Sequence, residues 1–270
     1  MEEELPAWSL PAEAVPTLDL PGAWPDSMTR EWAWGGSTGA GVRVCIVDSG
    51  VETGHPDVRP IAGSFAVRPA CDGTLGVVAD SGHDSCGHGT ACAGIVRQLA
   101  PAAEIVSVRV LDGLVGGDDA LVAGLRWAVE EGFDIVNLSL ATTRRAFAPC
   151  LRELADRAYF SRTMLVAAAP NAPLQSFPWR FSSVISVGGH DQPDVSAHYY
   201  NPAPPVEFFA PGADILVAWR DGTRIRCSGN SFATPYVSGL CALILSKHPD
   251  LTPFQVKHIL YLTAQNVGQQ

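Results

Sequence analysis

The sequence predicts an α/β fold in which a mostly parallel sheet carries helices on both faces. Three observations point there. Short apolar runs alternate with longer helical patterns along most of the chain, the order that builds a layered parallel sheet. The apolar runs end in turn residues, as buried strands do. At 270 residues and 47% hydrophobic composition, the chain suits one large core better than two small ones.

Residues 1–30 show no period and carry Pro6, Pro11, Pro16, Pro21 and Pro25 among several acids. They read as an extended acidic arm, with the domain itself spanning 31–270. Gly35 to Gly41 is glycine-rich, but a phosphate-binding loop follows its strand and this one precedes it, so it is a loop. Val42 to Asp48 reads as a buried strand ended by Ser49-Gly50. Further strands are expected at Ile105–Val110, Phe133–Leu140, Met164–Ala168 and Val184–Val187. Between and after them, helices are expected at His88–Leu99, Asp118–Glu131, Phe147–Phe160, Ser231–Lys247 and, opening on Thr252-Pro253, Pro253–Ala264.

Charge excludes some functions. The formal net charge is -10 and the 18 basic residues form no run, which argues against a nucleic-acid surface. No apolar stretch approaches the ~18 residues of a membrane span. The first residues, Met1-Glu2-Glu3-Glu4, do not resemble a secretory leader. Seven scattered cysteines then suggest reduced thiols and a cytoplasmic location.

In parallel sheets chemistry gathers beyond the carboxyl ends of the strands. Asp48 ends a strand there, His88 opens a helix, Asn171 follows a strand, and Ser231 opens a long apolar helix. A hydroxyl is a poor nucleophile until a neighbouring base takes its proton, and imidazole suits that task near neutral pH. A buried carboxylate can hold the imidazole in the required tautomer. The chain order Asp, His, Ser is one of the known orders of such a triad.

The segments Val44-Cys45-Ile46-Val47-Asp48-Ser49-Gly50, Gly87-His88-Gly89-Thr90 and Ser228-Gly229-Asn230-Ser231-Phe232-Ala233-Thr234-Pro235 together resemble the subtilase family of serine endopeptidases. The resemblance runs from about Gly39 to about Gln265 and includes Ile135-Val136-Asn137-Leu138-Ser139-Leu140 and Phe209-Ala210-Pro211-Gly212. It implies a subtilisin-like three-layer fold and an acyl-enzyme mechanism with Asp48, His88 and Ser231 as triad and Asn171 in the oxyanion hole. It also implies a peptide or protein substrate bound as an added strand between Leu114-Val115-Gly116 and Ser139-Leu140-Ala141. Ala169 and Pro170 would line the pocket for the residue before the scissile bond. A monomer that trims precursor peptides in the cytoplasm is expected, with a secreted enzyme separated from its propeptide as the runner-up. Two other readings share the same residues, an inactive peptide-binding module and an esterase.

Several positions depart from the family. Pro170 stands where the family has Gly, which alters the pocket wall. Asn230 and Phe232 replace Thr and Met, at positions expected to lie outside the chemistry. Cys92, one helical turn after His88, resembles the free thiol of the proteinase K-like branch and equally suits a small buried hydrophobe. Asp84 and Asp118 are expected on the substrate rim, where they would favour basic side chains. His83, Asp84, Cys86, His88 and Cys92 match no structural zinc spacing, so no metal is expected there. The helix after His88 lacks the inserted loop that supplies most ligands of the family's tight calcium site. Asp57 alone cannot replace that loop, so no cofactor is expected.

Overall fold

The computed structural model describes residue 25 and residues 27–267, apart from 71, 113, 114 and 195. Of the expected arm, residues 1–24 and 26 lie outside the described residues. Its last residue, Arg30, already belongs to a short helix, α1 (Arg30–Trp34), whose first turn is capped by the Thr29 hydroxyl.

The strands are, in chain order, β1 (Arg43–Asp48), β2 (Gly63–Pro69), β3 (Leu75–Ala79), β4 (Glu104–Arg109), β5 (Leu111–Asp112), β6 (Val115–Gly116), β7 (Ile135–Leu138), β8 (Met164–Ala168), β9 (Val184–His190), β10 (Tyr199–Tyr200), β11 (Phe208–Pro211), β12 (Ile215–Trp219) and β13 (Thr223–Cys227). The longer helices are α2 (His88–Leu99), α3 (Asp118–Glu130), α4 (Ala148–Phe160), α5 (Asn230–Lys247) and α6 (Pro253–Leu262). The main sheet has the order β10-β11-β9-β8-β7-β1-β4-β2-β3. Its neighbours pair in parallel except at the two edges, where β3 runs against β2 and β10 against β11.

Strand β1 sits at the centre, with β4 on one side and β7 on the other. Strands β2 to β4 lie on one side of β1 and β7 to β11 on the other, so the winding changes direction at β1. Parallel sheets bind ligands at the carboxyl end of such a junction. Alternation along β1 divides the core in two. Val44 and Ile46 face the layer of α2, α5 and α6, while Cys45 and Val47 face α3 and α4. Helix α5 is apolar around nearly its whole circumference and is buried from Phe232 to Leu245, as an all-apolar helix must be. Helix α6 opens on a complete capping box, Thr252 with Gln255.

The expected helices appear with ends shifted by two residues at most, and the expected strands keep their places. Eight strands had no clear signal in the sequence. Strands β2 and β3 form a half-exposed edge, and β12 with β13 forms a separate hairpin. The other four, β5, β6, β10 and β11, have two to four residues each.

Candidate active site

Asp48 is the last residue of β1 and is fully buried. Its Oδ1 lies 2.8 Å from His88 Nδ1 and accepts the Ser49 N–H at 2.7 Å. His88 is the first residue of α2, and both flanking glycines are dictated by space. A Cβ at Gly89 would lie 2.0 Å from the Gly50 carbonyl oxygen, so no other residue lets α2 approach the end of β1 this closely. Gly87 has φ +99°, and a Cβ there would press into the Trp219 ring at 2.5 Å.

Because Gly87 has no side chain to cap α2, another residue takes that role. Asp84 accepts the backbone N–H groups of Cys86, Gly87 and Thr90 at 3.0, 2.8 and 2.8 Å. It also accepts the hydroxyls of Ser49 and Thr90 at 2.8 and 2.5 Å. Asp84 is therefore a buried cap, not the rim carboxylate expected from the sequence, because five donors draw it inward against the helix N-terminus. Asp118 is paired as well, with Arg144 at 3.2 Å.

Ser231 lies in the first turn of α5. Four residues on, Pro235 has no N–H, so the Ser231 carbonyl has no helical donor. The Ser139 hydroxyl donates to that carbonyl at 2.7 Å, and the Cys92 thiol contacts it at 3.7 Å. Ser139 Oγ accepts from Asn137 Nδ2 at 3.0 Å, and Asn137 Oδ1 accepts the Ser238 hydroxyl at 2.9 Å. A buried polar chain thus ties the start of α5 to the end of β7.

Asn171 follows β8, and its Oδ1 accepts the backbone N–H of Asn230 at 2.9 Å. Its Nδ2 and the Ser231 Oγ converge, lying 3.4 and 3.3 Å from the point a Cβ at Gly229 would occupy. His88, Ser139, Leu140, Ala141, Ala169, Pro170, Asn171 and Ser231 line one cleft of about 450 Å³. Val115 and Gly116 form β6, which pairs with β5, and Leu111 of β5 lines the same cleft. Leu114 lies outside the described residues.

Two residues expected outside the chemistry touch it. The Phe232 ring centroid is 5.3 Å from that of His88, and Asn230 bonds to the backbone on both sides of Pro170. No sequence period marks these contacts, because both join segments far apart in the chain.

Burial of the His88 ring disfavours its charged form, but the Asp48 carboxylate at hydrogen-bond distance outweighs that cost. The imidazolium is held above its ordinary range. Burial pushes the Cys92 thiol up, so it packs as a neutral group 3.9 Å from Asp48 Oδ2. Among the described residues, Asp48, His88 and Cys92 are one group whose potential metal-ligating atoms all lie within 4.8 Å, and the first two are already bonded to each other.

The residues near the family's tight calcium position do not fit that ion. Helix α2 runs unbroken from His88 to Leu99. Both Asp57 carboxylate oxygens accept from Arg224, at 2.6 and 2.5 Å. The six described cysteines are all unpaired. No described helix is long and apolar enough to cross a membrane.

Residues 39–270 match the sequence model of the subtilase family. Subtilisin DY of Bacillus licheniformis is 33% identical over 249 residues, covering 86% of this chain and 87% of its own length. Subtilisin E of Bacillus subtilis strain 168 is 32% identical over 253 residues, and the match spans 63% of that longer chain. Among solved structures, a cold-adapted subtilisin-like serine proteinase superposes with TM-score 0.68 at 26% identity, over 86% of this chain and 87% of the other. A lanthipeptide protease shares the fold with TM-score 0.71 at 23% identity, over 84% of this chain and 81% of the other.

Proposed function

Since the chain belongs to the subtilase family and is a serine endopeptidase, we propose that Ser231 is its nucleophile, His88 its general base and Asp48 the carboxylate that orients the base. The observation that carries this is the Asp48–His88 hydrogen bond of 2.8 Å, made by a histidine that lines the same cleft as Ser231. His88 takes the Ser231 proton as Oγ attacks the scissile carbonyl. Asp48 accepts from Nδ1 and stabilises the imidazolium as it forms. The oxyanion is met by the Ser231 backbone N–H at the start of α5 and by the Asn171 amide, both fixed before charge develops. Protonated His88 then hands its proton to the leaving amine, and water repeats the sequence on the acyl-enzyme.

The peptide would lie extended along Ser139-Leu140-Ala141, with the Leu114-Val115-Gly116 segment as its other edge, and Ala169 and Pro170 would form the pocket wall. We assign the enzyme to the cytoplasm as a monomeric maturation protease of precursor peptides. Among the described cysteines, the partly exposed Cys86, Cys150 and Cys227 are unpaired, which supports a reducing compartment. It needs no calcium, because Asp57 is committed to Arg224. Ser231→Ala tests the chemistry. Peptide hydrolysis should fall by about 10⁶, the loss known for subtilisin itself rather than one worked from this structure. Turnover at the parent rate would overturn the assignment.

A further inference from the structure

Asn230 immediately precedes the proposed nucleophile, and its side-chain amide and backbone N–H are all bonded to the segments that follow β8 and end β9. Its Oδ1 accepts the Gly189 N–H at 2.7 Å. Its Nδ2 donates to the carbonyl oxygens of Ala169 and Pro170, both at 3.1 Å. Its backbone N–H donates to Asn171 Oδ1 at 2.9 Å. One residue therefore grips three consecutive residues, 169 to 171, and ties them to β9 and to the start of α5.

The need for this grip follows from the sequence of the loop. The Ala169 N–H is held by the Val187 carbonyl at 2.8 Å, the last rung joining the chain after β8 to β9. The next residue, Pro170, has no N–H to offer, so the backbone loses its own means of attachment one residue before Asn171. The side-chain amide of Asn230 supplies the missing tether from the acceptor side by binding two successive carbonyls. Asn230 does not cap α5, since Gly229 holds the cap position without any side-chain bond. Its amide serves the loop.

We propose that Asn230 is a positioning residue for the oxyanion donor Asn171, holding the Pro170 loop so that the Asn171 Nδ2 faces the Ser231 hydroxyl. This rests on the assignment of Ser231 and Asn171 above. The consequence is kinetic. An oxyanion donor acts as charge develops, so disturbing its aim lowers kcat and leaves KM nearly unchanged. Deleting such a donor costs about 10²–10³ in kcat. Loosening its support costs less, on the order of tenfold to 10²-fold, because a displacement near 1 Å is enough.

The experiment is a double-mutant cycle of Asn230→Ala and Asn171→Ala, with kcat and KM measured on one peptide substrate and melting temperature recorded for each variant. Asn230→Ala alone should lower kcat roughly tenfold to 10²-fold at nearly constant KM. In the Asn171→Ala background the same change should cost less than about threefold, because the group it positions is gone. Asn230→Thr, which offers a single hydroxyl of similar bulk, should fall between parent and Asn230→Ala and serves if the alanine variant does not fold. Losses that multiply across the cycle, or a change in KM or melting temperature with kcat intact, would overturn the inference. Ser231→Ala separates the two layers of argument. If it still turns over substrate, the site assignment itself is wrong; if it is inert while the losses multiply, only the role of Asn230 falls.

Discussion

His198 should make the fold acid-sensitive through its own titration. It is 1% exposed and packs near Trp34 and Phe208. Its Nε2 bonds the Leu260 carbonyl at 2.8 Å, and its Nδ1 is buried without a partner. Burial disfavours the charged ring and nearby Arg30 and His190 add to that, so its pKa falls from 6.5 to about 4. The unfolded chain then binds a proton near pH 6.5 that the native state refuses until about pH 4. The stability from this residue is complete above the unfolded value and is lost as pH falls through the window between the two. At 1.36 kcal/mol per unit the loss is roughly 3 kcal/mol, a large part of the stability of an ordinary domain. His88 works in the opposite sense. Its pKa is raised, so its contribution is present at low pH and fades as pH rises through the native value. The assay must cancel His88, and comparison with His198→Gln does so, since that variant keeps a donor for Leu260 and carries no titratable proton. Both proteins would carry Ser231→Ala to prevent self-digestion, and urea unfolding would be followed from pH 7 to pH 4. The parent should lose roughly 3 kcal/mol more than the variant across that range. Parallel pH profiles would show that His198 does not stay neutral in the native state.

The acid limb of kcat/KM should lie above about 6.5, the ordinary histidine value, because the Asp48 carboxylate favours the imidazolium. Asp48→Asn should move that limb downward and lower kcat by about 10⁴, and an unmoved limb would remove Asp48 from the mechanism. Asp84→Ala should lower stability by roughly 3 kcal/mol or more, since it strands several buried donors; urea unfolding measures this. The milder Asp84→Asn should leave any preference for basic side chains two residues before the scissile bond unchanged, and loss of such a preference would return Asp84 to the substrate rim. Excess chelator should leave melting temperature and activity close to those of the untreated protein. A fall of many degrees, reversed by added calcium, would show that a calcium site supports this fold.

The parallel core was legible because its signals are local. The run from Val42 to Asp48 and the unbroken pattern from His88 to Leu99 declare a strand and a helix by themselves, and α2 has the expected ends. The antiparallel edge formed by β3 was not legible, because its outer residues are exposed and its pairing depends on β2. At the site, the sequence supplied residue types and the carboxyl-end placement of Asp48, His88, Asn171 and Ser231. It misjudged residues whose role depends on what comes to meet them. Asp84 reads as a solvent-facing acid until Ser49 and Thr90 converge on it from opposite sides. Asn230 reads as a passive replacement until the ends of β8 and β9 arrive beside its amide. The Pro170 departure was visible in the sequence, but the residue that answers it lies 60 positions further along the chain.

Pro235 has an effect that reaches beyond the helix it interrupts. By withholding a donor from the Ser231 carbonyl, it leaves that oxygen for Ser139, the first residue of the edge proposed to hold the substrate. The proposed nucleophile is therefore bonded through its carbonyl to that edge instead of to the next turn of its own helix. A shift of the 139–141 edge as a peptide docks would carry the Ser231 carbonyl with it and keep the distance between hydroxyl and scissile bond nearly constant. If Ser231 is the nucleophile, the proline exchanges one rung of helix for a direct bond between the nucleophile's backbone and the proposed substrate edge.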